Sequence, residues 1–517
     1  MVFSSATFIF IFFPLVFLLI FLVRKTAIQN AVLILFSLLF YAWGEPVYVL
    51  LMILSVTINY LFTLPVLWME KYKNPDAVRR LFIAIAVVLN VSLLMIFKYT
   101  DFIISSVNGV FDLQLRKTNI PLPIGISFFT FQAMSYVIDV WQGRANVQKN
   151  YFKVMLFISL FPALIAGPIL KFRDIETQLT SRHITVQGVS EGARRFIFGL
   201  AKKVLIANSL GIVADQVFSA NSSELVFPVV WIGALAYVVQ IYFDFSGYSD
   251  MALGMGRMAG FTFKENFNYP YISSSVREFW RRWHISLTNW FKDYVYIPLG
   301  GNRKGKVRTG INKLIVFFTT GLWHGAQWTF VVWGLFHGLF MMAESYGWIK
   351  PDRFKWRWMR HLYVLLVVVI GFVLFRAPDF GVAATMISHM FMPFEMSPEV
   401  YKLLAGIISP SIIVAFLISI PASMPIKGRI EESLRTKGRI EESLGTKGRI
   451  EESIGAKGKA EESLDTKGRI EESIEKKGRG AQGLAQGGSY ILALALFILC
   501  MLSISTSTYN PFIYFRF

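Results

Sequence analysis

Two of the three histidines in residues 276–338 are candidate proton acceptors. His324 lies between Gly321–Trp323 and Gly325–Ala326, and apolar sequence follows it. Such surroundings favour the neutral imidazole, which can accept a proton, and the flanking glycines let backbone or substrate approach closely. His284 precedes it in the same region and could share one site. The alternatives are a structural role for His324 and, for His284, a place at a membrane interface with its polar tip in water.

Aromatic and basic residues alternate around His284. Such a pattern is typical of a helix that lies in a membrane interface. The same basic side chains could instead bind the phosphates of a nucleotide-bearing donor such as coenzyme A. The residues in question are Trp280, Trp283, Trp290 and Phe291, interleaved with Arg277, Arg281, Arg282 and Lys292.

The elements that position these residues are predicted to be membrane helices. Of the 517 residues, 54% are hydrophobic and 16% are charged, whereas soluble domains carry roughly 25% charged residues. Several apolar runs are long enough, or nearly so, to cross a hydrocarbon core of about 30 Å, and period-2 alternation of the outer-membrane-barrel kind does not recur. We therefore predict an all-α polytopic bundle of about 11–14 transmembrane or re-entrant helices. The runs include Ala6–Val23, Leu81–Phe97, Val226–Tyr242 and Tyr363–Phe375.

The distribution of charge favours a membrane protein over a nucleic-acid-binding protein. The net charge is +19, but the basic residues cluster in short loops between apolar runs, as the positive-inside rule predicts. Arg24 and Lys25 follow the first apolar run, which predicts a retained first helix with its N-terminus outside the cytoplasm. Cys500 is the only cysteine, which excludes a disulfide framework and a CxxC metal site. We predict no metal site.

A tandem repeat interrupts the C-terminal part of the chain. Residues 427–479 repeat a ten-residue unit that begins KGRIEESLRT, with 14 basic and 12 acidic residues. A glycine in every unit disfavours helix by about 1 kcal/mol relative to alanine. We therefore predict a transmembrane core over 1–424, a cytoplasmic linker over 425–488, and a final transmembrane helix with a tail over 489–517. The alternative for the repeats is a docking arm for a partner.

Motifs spread over nearly the whole chain outside the repeats resemble the membrane-bound O-acyltransferase family. The likeness is greatest to the integral membrane subunits of alginate O-acetylation, and the pair FWRRWHISL and GLWHG is highly specific. The matching segments are MVFSS, PLPIGISFFTFQAMSYVIDVW, FPALIAGPILKFRD, QIYFDFSGYSDMALGMGRMAGF, REFWRRWHISLTNWFKDYVYIPLGGNRKG, GLWHGAQWTFVVWGLFHG and NPFIYFRF.

The resemblance implies tilted helices around a funnel or tunnel that joins a cytoplasmic donor side to an external acceptor side. It assigns His324 as the general base on an acceptor hydroxyl, and His284 as the second histidine of the site. A polar run and one tryptophan are expected to line the tunnel or to orient substrate, with helix–helix packing as the alternative. The residues of that group are Asp244, Ser246, Tyr248, Asp250 and Trp323.

The resemblance also implies a function. The expected activity is transfer of acetyl groups, with acetyl-CoA as donor and no bound cofactor, to an exported polysaccharide such as alginate. Related alternatives are peptidoglycan O-acetylation and D-alanyl transfer to teichoic acid, and a transporter or flippase is the alternative of another class. A transporter has no need of a general base in a glycine-flanked apolar pocket. The expected setting is a bacterial inner membrane, with an external esterase-like partner.

Overall fold

The computed structural model describes residues 1–72, 74–425, 487–507 and 509–511. Within these ranges the chain forms helices joined by loops, without a β-strand. The prediction of an all-α protein is therefore confirmed. The repeat segment 427–479 lies outside the described residues, so the division into core, linker and final helix stays a prediction.

The α-helices fall into two groups in chain order. The first comprises α1 (Phe13–Leu22), α2 (Thr26–Ala42), α3 (Tyr48–Leu61), α4 (Pro75–Leu94), α5 (Thr100–Phe111), α6 (Ile126–Trp141), α7 (Tyr151–Ser159), α8 (Phe161–Leu164), α9 (Phe172–Ile175) and α10 (Val186–Ala201). The second comprises α11 (Asn208–Phe218), α12 (Phe227–Met258), α13 (Val276–Arg282), α14 (Ile285–Phe291), α15 (Gly305–His324), α16 (Trp328–Tyr346), α17 (Arg357–Arg376), α18 (Phe380–His389), α19 (Pro398–Ile407), α20 (Pro410–Ala422) and α21 (Gly487–Thr506).

Short π-helical and 3₁₀ turns continue or join these helices. The π-helical turns matter most, because an extra residue per turn re-aims the side chains that follow. They lie at Phe8–Phe12, Met95–Tyr99, Lys202–Ala207 and Lys292–Tyr296. The 3₁₀ helices are Leu64–Lys71, Pro270–Ile272 and Pro351–Arg353.

Six helical segments in the described part of the chain are long and apolar enough to cross a membrane, and the pair α19–α20, bent by 65°, would make a seventh. The protein is therefore a multi-pass membrane protein. The predicted total of about 11–14 transmembrane or re-entrant helices stays a prediction, because it also counts shorter segments. The six are Tyr48–Met69, Pro75–Phe111, Val186–Phe218, Phe227–Met258, Arg357–Arg376 and Gly487–Thr506.

The buried apolar side chains of the described residues form two large clusters and one small one. The first large cluster is built mainly by α1 to α3, α6 to α10 and α14, and it includes Trp323 at the end of α15. The second large cluster is built mainly by α11, α13 and α16 to α20, and it includes Trp333 and Phe375. Helix α12 contributes to both. The end of α15 therefore lies where the two clusters join.

Helices α10 and α12 cross with their backbones almost in contact. A Cβ atom added to Gly254 would lie 2.5 Å from the carbonyl oxygen of Gly192, and one added to Gly247 would lie 2.7 Å from that of Gly199. The two glycine pairs are about two helical turns apart. Small residues at a helix interface permit this close approach in a membrane protein.

We expect Gly247→Ala to destabilise the protein by about 1–3 kcal/mol, because the added methyl group forces the two backbones apart. The measurement is the thermal unfolding midpoint of the protein purified in detergent. The matched control is Gly109→Ala, also in a helix, where an added Cβ would have no neighbour within 4 Å. A Gly247→Ala midpoint equal to that of the control would contradict the close crossing.

Candidate active site

His324 is placed by a hairpin of two closely packed helices, α15 and α16. It is the last residue of α15, and Gly325, in extended conformation, ends the helix. Gly321 of α15 packs directly on the carbonyl of Phe330, and Gly334 of α16 on the carbonyl of Phe317, where any Cβ would overlap. The glycines noted beside His324 in the sequence therefore serve packing of the hairpin, which fixes where its tip lies.

Aromatic rings surround the His324 imidazole. Its ring centroid lies 5.0 Å from that of Trp323, 5.1 Å from that of Trp333 and 5.3 Å from that of Phe375, with each pair in edge-to-face geometry. The residue is 6% exposed. Because Trp323 belongs to the first apolar cluster and the other two rings to the second, His324 lies at their junction.

His284 lies beside His324, as the sequence analysis predicted for a shared site. The two ring centroids are 6.4 Å apart, and His284 is 1% exposed. It separates α13 from α14 with a left-handed backbone, φ 44° and ψ 54°. A non-glycine residue in that region costs about 1–3 kcal/mol and persists only where its surroundings hold it. The alternative of a water-exposed interfacial His284 is therefore wrong.

Asn266 holds His284 and fixes which ring nitrogen carries the proton. The Asn266 Oδ1 atom accepts hydrogen bonds from the backbone N–H of Ser286, at 3.1 Å, and from the Ser286 hydroxyl, at 2.9 Å. The same oxygen lies 3.2 Å from His284 Nδ1. Because a carbonyl oxygen can only accept, His284 donates from Nδ1, and in the neutral imidazole the lone pair is then on Nε2. Within the described residues, Nε2 has no hydrogen-bond partner.

Sequence reasoning missed Asn266, which lies in a loop without apolar periodicity. Its side-chain amide donates to the Ser249 hydroxyl at 3.2 Å, and its backbone carbonyl accepts from the Ile285 N–H at 2.9 Å. Asn266 therefore ties α12 to the start of α14. No signal in a single sequence distinguishes it from other loop asparagines.

Sequence reasoning also missed Lys98 and Tyr99, which bind the end of the helix that carries His324. Lys98 Nζ donates to the carbonyl of Trp323 at 2.6 Å and to that of His324 at 3.4 Å. The Tyr99 hydroxyl donates to the carbonyl of Leu322 at 2.7 Å. These are terminal carbonyls of α15 that lack helical partners, and a cation stabilises a helix C-terminus. The signal was a lysine within an apolar run, which marks a functional candidate.

The carboxylates of the predicted polar run on α12 form ion pairs with α10 and its π-helical turn. Asp244 lies 2.8 Å from Lys203 Nζ. Asp250 lies 2.8 Å from Arg195 and 2.7 Å from Lys202. These contacts favour the packing alternative for both carboxylates. The prediction that they line a tunnel or orient substrate stays a prediction.

The other members of that group have different surroundings. The Tyr248 ring stacks on Phe3 with centroids 4.4 Å apart. The buried Ser246 hydroxyl has no hydrogen-bond partner in the described part of the chain, nor has the indole N–H of Trp323. Of these residues, Trp323 is the one with a ring contact to both histidines, since its centroid also lies 6.1 Å from that of His284.

The three arginines predicted to bind the donor differ in their contacts. The Arg277 backbone N–H donates to Glu344, at 3.0 Å. Arg282 donates to Glu278 at 2.9 Å. Burial raises the pKa of Glu278, but hydrogen bonds from Ser274 and Arg282 outweigh burial and hold it below its ordinary value. Arg282 is thus committed to an ionised partner, whereas Arg281 is exposed.

A chain of rings leads from the histidines to a charged cluster. Phe131 lies 5.5 Å from Trp323 and stacks on Trp290 at 3.7 Å, both between centroids. Trp290 lies 5.1 Å from Tyr294, whose hydroxyl donates to Asp139 at 2.8 Å. The path connects three of the resembling motifs, and one of them, PLPIGISFFTFQAMSYVIDVW, had been given no place in the site by the sequence analysis.

The charged cluster at the end of this path is made by α6, by α9 with the residue before it, and by the π-helical turn after α14. Arg173 lies 3.4 Å from Asp139 and 2.5 Å from Asp293, and Lys171 lies 2.7 Å from Asp293. Across the described residues, no group of three or more His, Cys, Asp or Glu side chains is placed to hold a metal ion.

Comparison with known proteins identifies the family of the chain. A family model described as MBOAT, membrane-bound O-acyltransferase family, matches residues 38–377, which include both histidines. A probable alginate O-acetylase of Pseudomonas syringae pv. tomato is 41% identical over 422 residues, which cover 80% of each chain. A peptidoglycan O-acetyltransferase of Helicobacter pylori is 34% identical over 425 residues, covering 75% of this chain and 80% of its own.

A more distant relative is a teichoic acid D-alanyltransferase of Bacillus subtilis, 27% identical over 278 residues that cover 50% of this chain and 69% of its own. The family model spans well over half of the chain, and the resemblance found in the sequence motifs is confirmed. The protein is an O-acyltransferase, and it belongs to the membrane-bound O-acyltransferase family.

Proposed function

We propose that this protein transfers acetyl groups from acetyl-CoA toward the hydroxyl groups of an exported polysaccharide, alginate or a similar exopolysaccharide. The observation that carries the proposal is the buried pair of imidazoles whose ring centroids are 6.4 Å apart. The 41% identity to a probable alginate O-acetylase supports the choice of acceptor.

In the proposed reaction, His324 is the general base. It accepts the proton of the acceptor hydroxyl while that oxygen attacks the thioester carbonyl. A C–O bond forms, the C–S bond breaks, and the departing sulfur takes the proton from the imidazolium. The His284 Nε2 lone pair, which Asn266 makes available, accepts a hydrogen bond from a neighbouring hydroxyl of the acceptor sugar and so orients the attacking one.

Trp323 is the proposed hydrogen-bond donor to the thioester carbonyl oxygen of the acyl donor. Its indole N–H is buried, has no partner among the described residues and belongs to a ring that contacts both histidines. A fixed N–H donor stabilises the negative charge that develops on a thioester oxygen in the transition state. A single donor lost from such a site commonly costs about 100- to 1,000-fold in kcat.

For the donor, we propose that Arg277, Arg281 and Arg282 attract the phosphates of acetyl-CoA. Arg281 is the strongest candidate of the three for binding phosphate because its side chain is exposed, whereas Arg282 already pairs with Glu278. The proposed setting is a bacterial inner membrane with the donor on the cytoplasmic side. An external esterase-like partner would receive the acetyl group or complete its transfer.

Peptidoglycan is the second candidate acceptor, because a peptidoglycan O-acetyltransferase is 34% identical over 75% of this chain. The two acceptors differ in size and charge, so an assay that contains both shows which of them receives the acetyl group. Everted membrane vesicles of host cells, supplied with labelled acetyl-CoA, should label alginate. Label on peptidoglycan fragments instead would select the second candidate. Label on neither would favour a transporter.

We expect His324→Gln to lower acetyl transfer in these vesicles by about 100- to 10,000-fold, since the general base is lost. The matched control is His337→Gln. His337 is also buried and also contacts Trp333, at 5.3 Å between centroids, but the proposed reaction gives it no role. Equal activity of the two variants, with unchanged thermal midpoints, would overturn the assignment of the base.

We expect Lys98→Met to lower kcat roughly 10- to 100-fold while the KM for acetyl-CoA changes little, because the end of α15 loses its donor and His324 shifts. Lys98→Arg, which keeps a donor and the charge, should recover part of the loss. The readouts are the separate kcat and KM in vesicles and the thermal midpoint. A Lys98→Met protein with normal kcat and only a lower midpoint would reduce Lys98 to a stabilising role.

A further inference from the structure

A groove of about 550 Å³ runs along the outer face of α2, away from the histidine pair. This volume lies within the range of about 300–1,000 Å³ that is usual for ligand sites. Ala27 and Ala31, one turn apart on α2, form its floor, and Ile34 and Leu38 extend it along the helix. Phe152 at the start of α7 forms the opposite wall. Most of the lining is therefore apolar.

Polar groups lie at one end of the groove only. Lys153 Nζ donates to the hydroxyl of Thr180 at 2.8 Å, and both residues line that end. Arg24 and Lys25 immediately precede α2 at the same end and are exposed. None of the lining residues is acidic. The end near Lys153 is thus positively charged.

The remaining length of the groove matches a hydrocarbon chain. From Thr26 to Leu38, α2 rises roughly 18 Å, and every lining residue of α2 beyond Asn30 is apolar. The side chain of Asn30 already makes two hydrogen bonds within the protein, since its amide donates to the carbonyl of Leu179 at 2.8 Å and accepts from Arg182. A membrane protein presents such a face to lipid, so its natural occupant is amphipathic.

We propose that this groove binds an anionic phospholipid, with one acyl chain along Ala31 to Leu38 and the phosphate at Lys153. The leaflet is the one at which Arg24 and Lys25 lie. Basic clusters beside a membrane helix attract anionic headgroups, and the absence of acidic lining residues gives the complementary charge. The site is separate from the proposed acetyl transfer and does not depend on it.

The test uses the full-length protein purified in detergent and phosphatidylglycerol or phosphatidylcholine with identical acyl chains. We expect phosphatidylglycerol to raise the thermal midpoint more than phosphatidylcholine does. Lys153→Gln should weaken phosphatidylglycerol binding about fivefold, toward that of phosphatidylcholine. Ala31→Trp, which fills the floor of the groove, should abolish the difference between the two lipids.

The matched control is Leu54→Trp, which places a tryptophan on an exposed lipid-facing position of α3 outside the groove lining. It should respond to both lipids as the wild type does. Mass spectrometry of lipid that remains bound after purification gives a second readout that is independent of stability. Equal effects of the two lipids on the wild type, or an unchanged preference in Ala31→Trp, would overturn the proposal.

Discussion

The site depends on how the open end of one helix is held. The last carbonyls of α15 have no helical partner, and they lie at the residue whose side chain is the proposed base. Lys98 and Tyr99 donate to these carbonyls from another helix. A half-buried lysine is costly in apolar surroundings unless its donors are used. The same contacts satisfy the open carbonyls of α15 and the donors of Lys98. The end of α15 and the turn that carries Lys98 therefore fix each other, and with them the position of His324.

The other histidine of the site, His284, is held by hydrogen bonds that offset the strain of its backbone. His284 occupies a strained backbone region, and the hydrogen bonds of Asn266 to His284, Ser286 and Ile285 hold it there. Charged residues follow a related pattern, since Lys98, Lys203 and Asp293 all lie in π-helical turns. Such turns are common at functional sites. Here they let charged side chains meet partners on other helices.

Apolar runs, loop charges and the two histidine motifs were enough to predict an all-α membrane protein and the His324–His284 pair. The partners of that pair could not be predicted. Lys98 lies 226 residues from His324, and only tertiary packing brings them together. Asn266 is 18 residues from His284, in a loop whose path the sequence pattern does not give. The carboxylates Asp244 and Asp250 were recognisable as unusual in an apolar helix, but their ion pairs with α10 require knowledge of which helices touch. The sequence pattern predicts which residues are buried, but it does not predict which residues they contact.

The most direct test of the account is a structure of the protein in lipid with a non-hydrolysable acetyl-CoA analogue. The account predicts that the acetyl carbonyl carbon lies between the His324 and His284 rings, with its oxygen within about 3 Å of the Trp323 indole nitrogen. The phosphates should lie near Arg281. An acetyl group bound elsewhere, with the aromatic rings still packed around both histidines, would contradict the assignment of the histidine pair as the site of acyl transfer.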